Sequence, residues 1–421
     1  MKTNIKEINS YTRQLDILIE WEKIKEDFDK EYKKARLSFS MPGFRKGKVP
    51  DKIVKQNLGP SIEANFAENS INIYYKKALV DLEIVPINQA SIDKLDFKEG
   101  SDLSFSARFE VNPDVVLPKY QKIKINAVRY RPENEDVDQA LENYREQHAT
   151  IKIIESGAKS GHFIRADFQV LGIDGLPDAT KKLDDQYIRL GFGMFKGEIE
   201  KVFLNKKEGE QVSVVMESKE GPITYNVTIK RVEEQVLPAL DDELAKTINE
   251  KFSFLSDLKT QIKEDLQLSL DKDHKDLIRK EIINYFIDNS KLDAPESMVS
   301  MYLEHIKQDL EKKNQPYQEG DLENNYKSHA EWNIKWYLIK DKLIEKESLD
   351  VTDNELDDKI NKIILENKSS EAEINSFYKE ANNRQNLYNE IMNDKLFDYL
   401  LDYTKVKVVE KSTNEIRKQK K

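Results

Sequence analysis

The chain has 421 residues, no cysteine and a formal net charge of −10, with 35% charged residues against 38% apolar ones. The missing cysteine excludes disulfides, thiolate metal sites, iron–sulfur clusters and a cysteine nucleophile. With only 14 Gly and 12 Pro, collagen-like and low-complexity classes are also excluded, and the length suggests about three domains.

Tyr11, Arg13, Leu15, Ile17 and Ile19 alternate with polar neighbours, the period of a half-buried strand. Trp21, Ile24, Phe28, Tyr32 and Ala35 then step by three and four, which is one stripe of a helix. Two prolines and two glycines in SMPGFRKGKVP (Ser40 to Pro50) predict an exposed turn. A short helix from Asp51, stopped by Gly59, is expected next, and a separate helix from Ile62 to Leu82 after it. Leu103, Phe105, Ala107, Phe109 and Val111 alternate as a strand, so this first part is α+β.

Glu133 to Ile151 reads as a charged helix with Val137, Leu141 and Tyr144 on one side. From Ser156 to Glu234 glycines cluster among β-prone runs such as ITYNVTIKRV (Ile223 to Val232), so a compact β-rich domain is expected. Leu237 to Tyr403 is almost entirely helical in pattern, with Leu258, Ile262, Leu266 and Leu270 stepping by four. Pro295 opens a further helix, and Thr352 with Glu355 forms a capping box. The tail from Lys411, with Arg417, Lys418, Lys420 and Lys421 against Glu415, is expected to be unordered. The overall class is α+β multidomain.

Chemistry of the common catalytic kinds finds little support. The five histidines, His148, His162, His274, His305 and His329, lack the i, i+4 spacing of a helical metal site, and no nucleotide-binding loop or nucleophile elbow is present. No metal and no cofactor are expected. The opening MKTNIKEINSYTRQLD lacks an apolar signal segment, and no uncharged apolar run nears the roughly 18 residues that span a membrane. A cytoplasmic protein without membrane contact is the expectation.

The turn Gly43 to Pro50 stands apart. Between Lys33 and Lys55 there are eight Lys/Arg and one acid, a local charge of +7 inside an acidic chain. Phe44 sits among those cations. One reading is a solvated loop with Phe44 folded back under the helix pair. The other is a docking finger, an apolar anchor ringed by cations, suited to acidic side chains or phosphates.

GFRKGKVP, set between a long and a short helix in an N-terminal α+β part, resembles the signature of bacterial trigger factor, the ribosome-associated chaperone family. RVEEQVLPALDDELAK (Arg231 to Lys246) and LDAPESMV (Leu292 to Val299) extend the resemblance along the chain. It implies an α+β ribosome-binding domain (1–131), a linker helix packing with the C-terminal domain (132–151), an FKBP-like domain (152–236), an all-α arm domain acting as chaperone (237–410) and a basic tail (411–421). It further implies that Gly43, Phe44, Arg45, Lys46, Gly47, Lys48 and Pro50 serve ribosome binding, with Phe44, Arg45 and Lys46 touching protein and RNA of the large subunit beside the exit tunnel. Nascent and unfolded polypeptides are the other implied partners, and a homodimer off the ribosome is left open.

The FKBP-type peptidyl-prolyl isomerase reaction twists an amide whose barrier is about 18–20 kcal/mol and needs an aromatic pocket rather than an acid–base pair. Phe168 and Tyr225 match two of the family's aromatic positions, but its Phe–acid pair falls on Asp178 and Ala179. The floor aromatic falls on Ile199, with Phe195 close by in sequence, and the flap is shortened to Ser218 to Gly221. Phe168, Tyr225, Phe195 and Ile199 are therefore read as remnants of a pocket, and the domain as a degenerate isomerase. Prolyl isomerisation of nascent or unfolded chains through residues 152–236 is the alternative function. In the helical part, Met298, Met301, Tyr302, Trp332, Trp336 and Tyr337 are the candidates for promiscuous client contact, against the reading that such apolar stripes are core.

Overall fold

A computed structural model describes the chain apart from residues 173–174, 219–220, 316, 318 and 420–421. In chain order it contains β1 (Lys2–Glu7), β2 (Thr12–Ile19), α1 (Trp21–Ser38), α2 (Asp51–Asp81), β3 (Ser91–Asp96), β4 (Leu103–Glu110), β5 (Ile123–Arg131) and α3 (Asn134–Gln147). There follow β6 (Thr150–Ile153), β7 (Phe163–Leu171), β8 (Pro177–Arg189), α4 (Glu198–Phe203), β9 (Gln211–Ser218) and β10 (Gly221–Val236). The remainder comprises α5 (Asp242–Ile248), α6 (Leu255–Asn289), α7 (Glu296–Lys312), α8 (Glu319–Glu347), α9 (Asp353–Glu366), α10 (Glu371–Lys379), α11 (Ala381–Asp402), β11 (Thr404–Ser412) and α12 (Thr413–Gln419). The residues gather into two compact units, Met1–Ile125 with Leu277–Lys407, and Asn126–Asp276 with Val408–Lys421. The fold is α+β and multidomain.

In the first unit, β1, β2, β4 and β3 form an antiparallel sheet in that order. Leu15, Ile17 and Ile19 of β2 and Leu103, Phe105, Ala107 and Phe109 of β4 point to one face, as period-2 alternation requires. Ile24 and Phe28 of α1 and Ile62, Phe66 and Ala78 of α2 close over that face. The amide of Trp21, which no local side chain caps, donates to Asp102 Oδ1 at 2.8 Å. The flanking strands β1 and β3 are exposed along their whole length and carry little alternation, so periodicity alone did not mark them.

The expected break at Gly59 is not there: α2 runs unbroken from Asp51 to Asp81 with Pro60 inside it. A proline ring clashes with the preceding residue's Cβ, and Gly59 has none. Val54, Leu58, Ile62, Phe66, Ser70, Tyr74 and Ala78 then continue one stripe of four-residue steps across the Gly–Pro pair, and its burial outweighs the lost hydrogen bond.

The helices of the first unit form further cores. Tyr120, Phe286, Trp336 and Phe397 pack in a line with centroid separations of 5.6, 6.2 and 5.8 Å. Glu347 accepts hydrogen bonds from the hydroxyls of both Tyr120 and Tyr399. Val351, Leu356, Ile360, Leu387 and Met392 build a second cluster among α9 and α11. The capping box expected at Thr352 and Glu355 opens α9.

In the second unit the long strand β10 is central. One of its edges pairs with β7, which carries β8, and the other with β9 and β6. The expected helix ending at Ile151 stops earlier, at Gln147, because β-branched Thr150 and Ile151 pair with β10 as part of β6. α3 packs Val137 and Leu141 against Ala245, Leu258 and Ile262. The tail corrects another expectation: Lys411 lies in β11 and residues from Thr413 form α12. Order comes from α3, whose Asp136 accepts from the Thr413 hydroxyl and from Arg417. Lys420 and Lys421 lie outside the described residues.

Candidate functional site

The Gly43–Pro50 tip is two turns stacked on the end of α1. Phe44 N donates to Met41 O at 3.0 Å and Lys48 N to Arg45 O at 2.9 Å. A third bond, Gly47 N to Phe39 O at 3.0 Å, ties the loop back to the residue that caps α1. Gly47 has φ +74° and approaches Leu37 so closely that an added Cβ would lie 3.2 Å from the Leu37 carbonyl oxygen. Both conditions favour glycine. The Pro50 carbonyl accepts from Ile53 and Val54 to begin α2.

Between the two readings of Phe44, the geometry is clear. Val49 is the tip residue buried beneath the helix pair, whereas Phe44 is 42% exposed. Arg36 is paired with Asp51 at 3.1 Å and Lys55 with Glu99 at 2.6 Å. Arg45, Lys46 and Lys48 are exposed and form no ion pair among the described residues. An apolar ring thus stands in solvent beside three cations whose charge is not neutralised locally.

In the second unit, Phe168, Phe195, Ile199 and Tyr225 are brought into one cluster. Phe168 packs edge-to-face on Tyr225 at 5.9 Å and on Phe195 at 6.1 Å. Phe203, which the sequence reading passed over, completes the group at 6.2 Å from Phe195. Phe168 is only 3% exposed, so its ring presents no open face to a prolyl group. Asp178 Oδ1 accepts from the Thr180 hydroxyl at 2.7 Å and the Thr180 amide at 3.0 Å, bonds that hold its carboxyl below the usual range. That carboxylate closes a local turn. The side chain of Ala179 and residues 219–220 of the shortened flap lie outside the described residues.

The six helical candidates separate into three environments. Met298, Met301 and Tyr337 line a groove of about 540 Å³ with Ile87 and Val115. Tyr302 and Trp332 flank the His329 ring at 6.2 and 6.4 Å, and Trp332 donates to Asn284 at 2.9 Å. Trp336 is a correction: at 9% exposure, between Phe286 and Phe397, it belongs to the core and offers no surface to a client. Among the described residues no group of three or more His, Asp or Glu is arranged to hold a metal ion, and no helix is long and apolar enough to cross a membrane.

The chain is similar to known proteins over most of its length. Residues 1–144 match the family described as bacterial trigger factor protein, and residues 255–402 match its C-terminal family. A trigger factor from Clostridium tetani is 30% identical over 96% of this chain and 99% of its own length. Those of Natranaerobius thermophilus and Geotalea daltonii are each 28% identical over 98% of this chain, covering 98% and 99% of their own. A solved structure of a trigger factor chaperone, at 20% identity, superposes with a TM-score of 0.51 over 95% of this chain and 99% of its own, which shows the shared fold.

Proposed function

The chain belongs to the bacterial trigger factor family of chaperones, and from that premise we propose that it docks on the large ribosomal subunit through the Gly43–Pro50 tip and shields nascent chains without ATP. The observation that carries this reading is the exposed Phe44 ring beside the unneutralised Arg45, Lys46 and Lys48. An apolar anchor with flanking cations fits an acidic protein surface and RNA phosphates together. Holding a client needs binding alone, and the groove of Met298, Met301 and Tyr337 supplies flexible and aromatic contacts for it. The work is divided among a docking part (1–131), a linker helix (132–151), an FKBP-like part (152–236) and a helical part (237–410), acting in the cytoplasm.

Ribosome co-sedimentation tests the docking. Replacing Phe44, Arg45 and Lys46 by Ala should abolish it while circular dichroism stays unchanged, and the wild-type signal should fall steeply with salt. Unaltered sedimentation of the triple variant refutes the tip assignment. Burial of Phe168 supports a degenerate isomerase domain. Robust turnover of a proline peptide by the full chain would overturn that part.

A further inference from the structure

The outward face of the β6–β10 sheet carries a second feature, remote in sequence from the tip. On β7, Ile164, Ala166 and Phe168 turn inward, so Phe163, Arg165 and Asp167 turn out. Register sets Phe163 opposite Arg189 and Arg165 opposite Tyr187. These side chains stack. The Arg165 guanidinium lies 5.6 Å from the Tyr187 ring centre, and Tyr187 lies 5.1 Å from Phe163 at an interplanar angle of 14°. Arg189 lies 5.4 Å from Phe163 and 3.8 Å from Phe192. Five planar groups thus run as one column, Arg165, Tyr187, Phe163, Arg189 and Phe192.

The column is held in place and ends open. The Tyr187 hydroxyl donates to Glu233 at 3.1 Å. Phe192 is presented by a loop in which Gly191 has φ +81°, a backbone conformation that favours glycine. Phe192 is 51% exposed beyond its contact with Arg189. The charges are layered: Glu233 and Asp167 lie beneath, with side chains 5% and 17% exposed. Arg165, Lys182, Lys230 and Arg231 stand over them, between 44% and 49% exposed. Three exposed acids interrupt them: Asp185 lies 3.2 Å from Arg165, Asp184 2.5 Å from Lys182 and Glu146 3.6 Å from Arg189, surface pairs of the kind that phosphates can displace at little cost. The face therefore offers cations and an unfinished stack of planes.

We propose that this face binds single-stranded RNA, a nucleobase extending the column on the open side of Phe192 while Arg165, Lys182, Lys230 and Arg231 meet the phosphates. Stacking on aromatic and guanidinium planes combined with a cationic surface is the chemistry by which unpaired nucleic acid is held. An extended polypeptide would gain from the aromatic ring but has no use for four layered cations. The choice of RNA as the source of base and phosphate rests on the ribosome-docking reading above.

Fluorescence anisotropy with a short labelled single-stranded RNA tests it, using the full chain with Phe44, Arg45 and Lys46 replaced by Ala so that the tip makes no contribution. In that background binding should persist and weaken with salt. Adding Phe192→Ala should weaken it about five- to a hundredfold, the worth of one base stack, and Phe192→Trp should preserve it. Absence of binding in the tip-free background overturns the proposal, as does indifference to Phe192→Ala. A Phe192-dependent signal with an unfolded polypeptide and none with RNA overturns it equally. Ribosome co-sedimentation of the tip variant fails or succeeds independently of these outcomes.

Discussion

The carboxylate of Glu110 accepts hydrogen bonds from the Ser297 amide at 3.0 Å and the Ser297 hydroxyl at 2.5 Å. Glu110 ends β4, and Ser297 lies in the first turn of α7, where free amides and the helix dipole favour a negative charge. The bond joins the N-terminal sheet to the helix that carries Met298 and Met301. Glu110→Ala should lower stability by about 1 kcal/mol, because it leaves the half-buried Ser297 amide and hydroxyl without their acceptor. Glu110→Gln, which keeps an acceptor, should cost less. Urea denaturation checks both, and an unchanged midpoint for the alanine variant would refute the role.

Gly47→Ala leaves Phe44, Arg45 and Lys46 in place but forces a Cβ against Leu37 at a positive φ. The strain of about 1–2 kcal/mol should reshape the tip and weaken ribosome co-sedimentation severalfold. Gly43, also at positive φ but with open space around it, should tolerate Ala better. Equal binding by wild type and Gly47→Ala would mean that the tip's backbone shape is irrelevant to docking.

Tyr75 packs its ring on Phe109 at 5.7 Å, but its buried hydroxyl has no hydrogen-bond partner among the described residues, and burial raises its pKa to about 12. Removing an unsatisfied hydroxyl while keeping the ring should be neutral or stabilising, by up to about 1 kcal/mol. Thermal denaturation of Tyr75→Phe reads this directly, and a clear loss of stability would show that the hydroxyl has a partner.

Glu355 accepts from Lys395 at 2.8 Å and from the Thr352 amide at 2.8 Å, with Lys395 the main cause of a pKa lowered from 4.5 to about 2. A depressed carboxylate pKa adds stability that is complete above the unfolded value and is lost as pH falls through the folded one. The stability difference between wild type and Glu355→Gln should therefore be full above pH 4.5 and close toward pH 2. A difference independent of pH in that window would exclude the ionic contribution.

Phe168→Ala removes a ring from the centre of the β-rich core and should cost about 3–5 kcal/mol. Its first effect is on folding, seen in near-ultraviolet dichroism, before any effect on catalysis. A native-like spectrum with unchanged denaturation would show that Phe168 lines a pocket instead.

Much of the site was legible because it is written locally. Two prolines, two glycines and a run of cations mark the Gly43–Pro50 tip as an exposed turn whatever the rest of the chain does. The RNA-binding face proposed here was not legible. Phe163, Tyr187 and Phe192 lie on two strands and a loop, and only strand pairing stacks them. Phe203 was missed for a similar reason, since nothing in EIEKVF singles out its last residue before the sheet covers it.

The strongly periodic segments specify their own conformation, since a strand's period of two and a helix's period of 3.6 are properties of neighbouring residues. The β2 and β4 strands, the α1 stripe, the capping box at Thr352 and the exposed, cationic tip follow from the sequence by itself. Which side of a helix is covered depends on chain segments far away. Trp336 and Tyr337 are adjacent, yet one is packed between Phe286 and Phe397 and the other opens into a groove. Tertiary burial likewise carried α2 through Pro60, ordered the tail against Asp136 and closed the rings around Phe168. In each case distant surfaces supplied free energy that no local pattern contains.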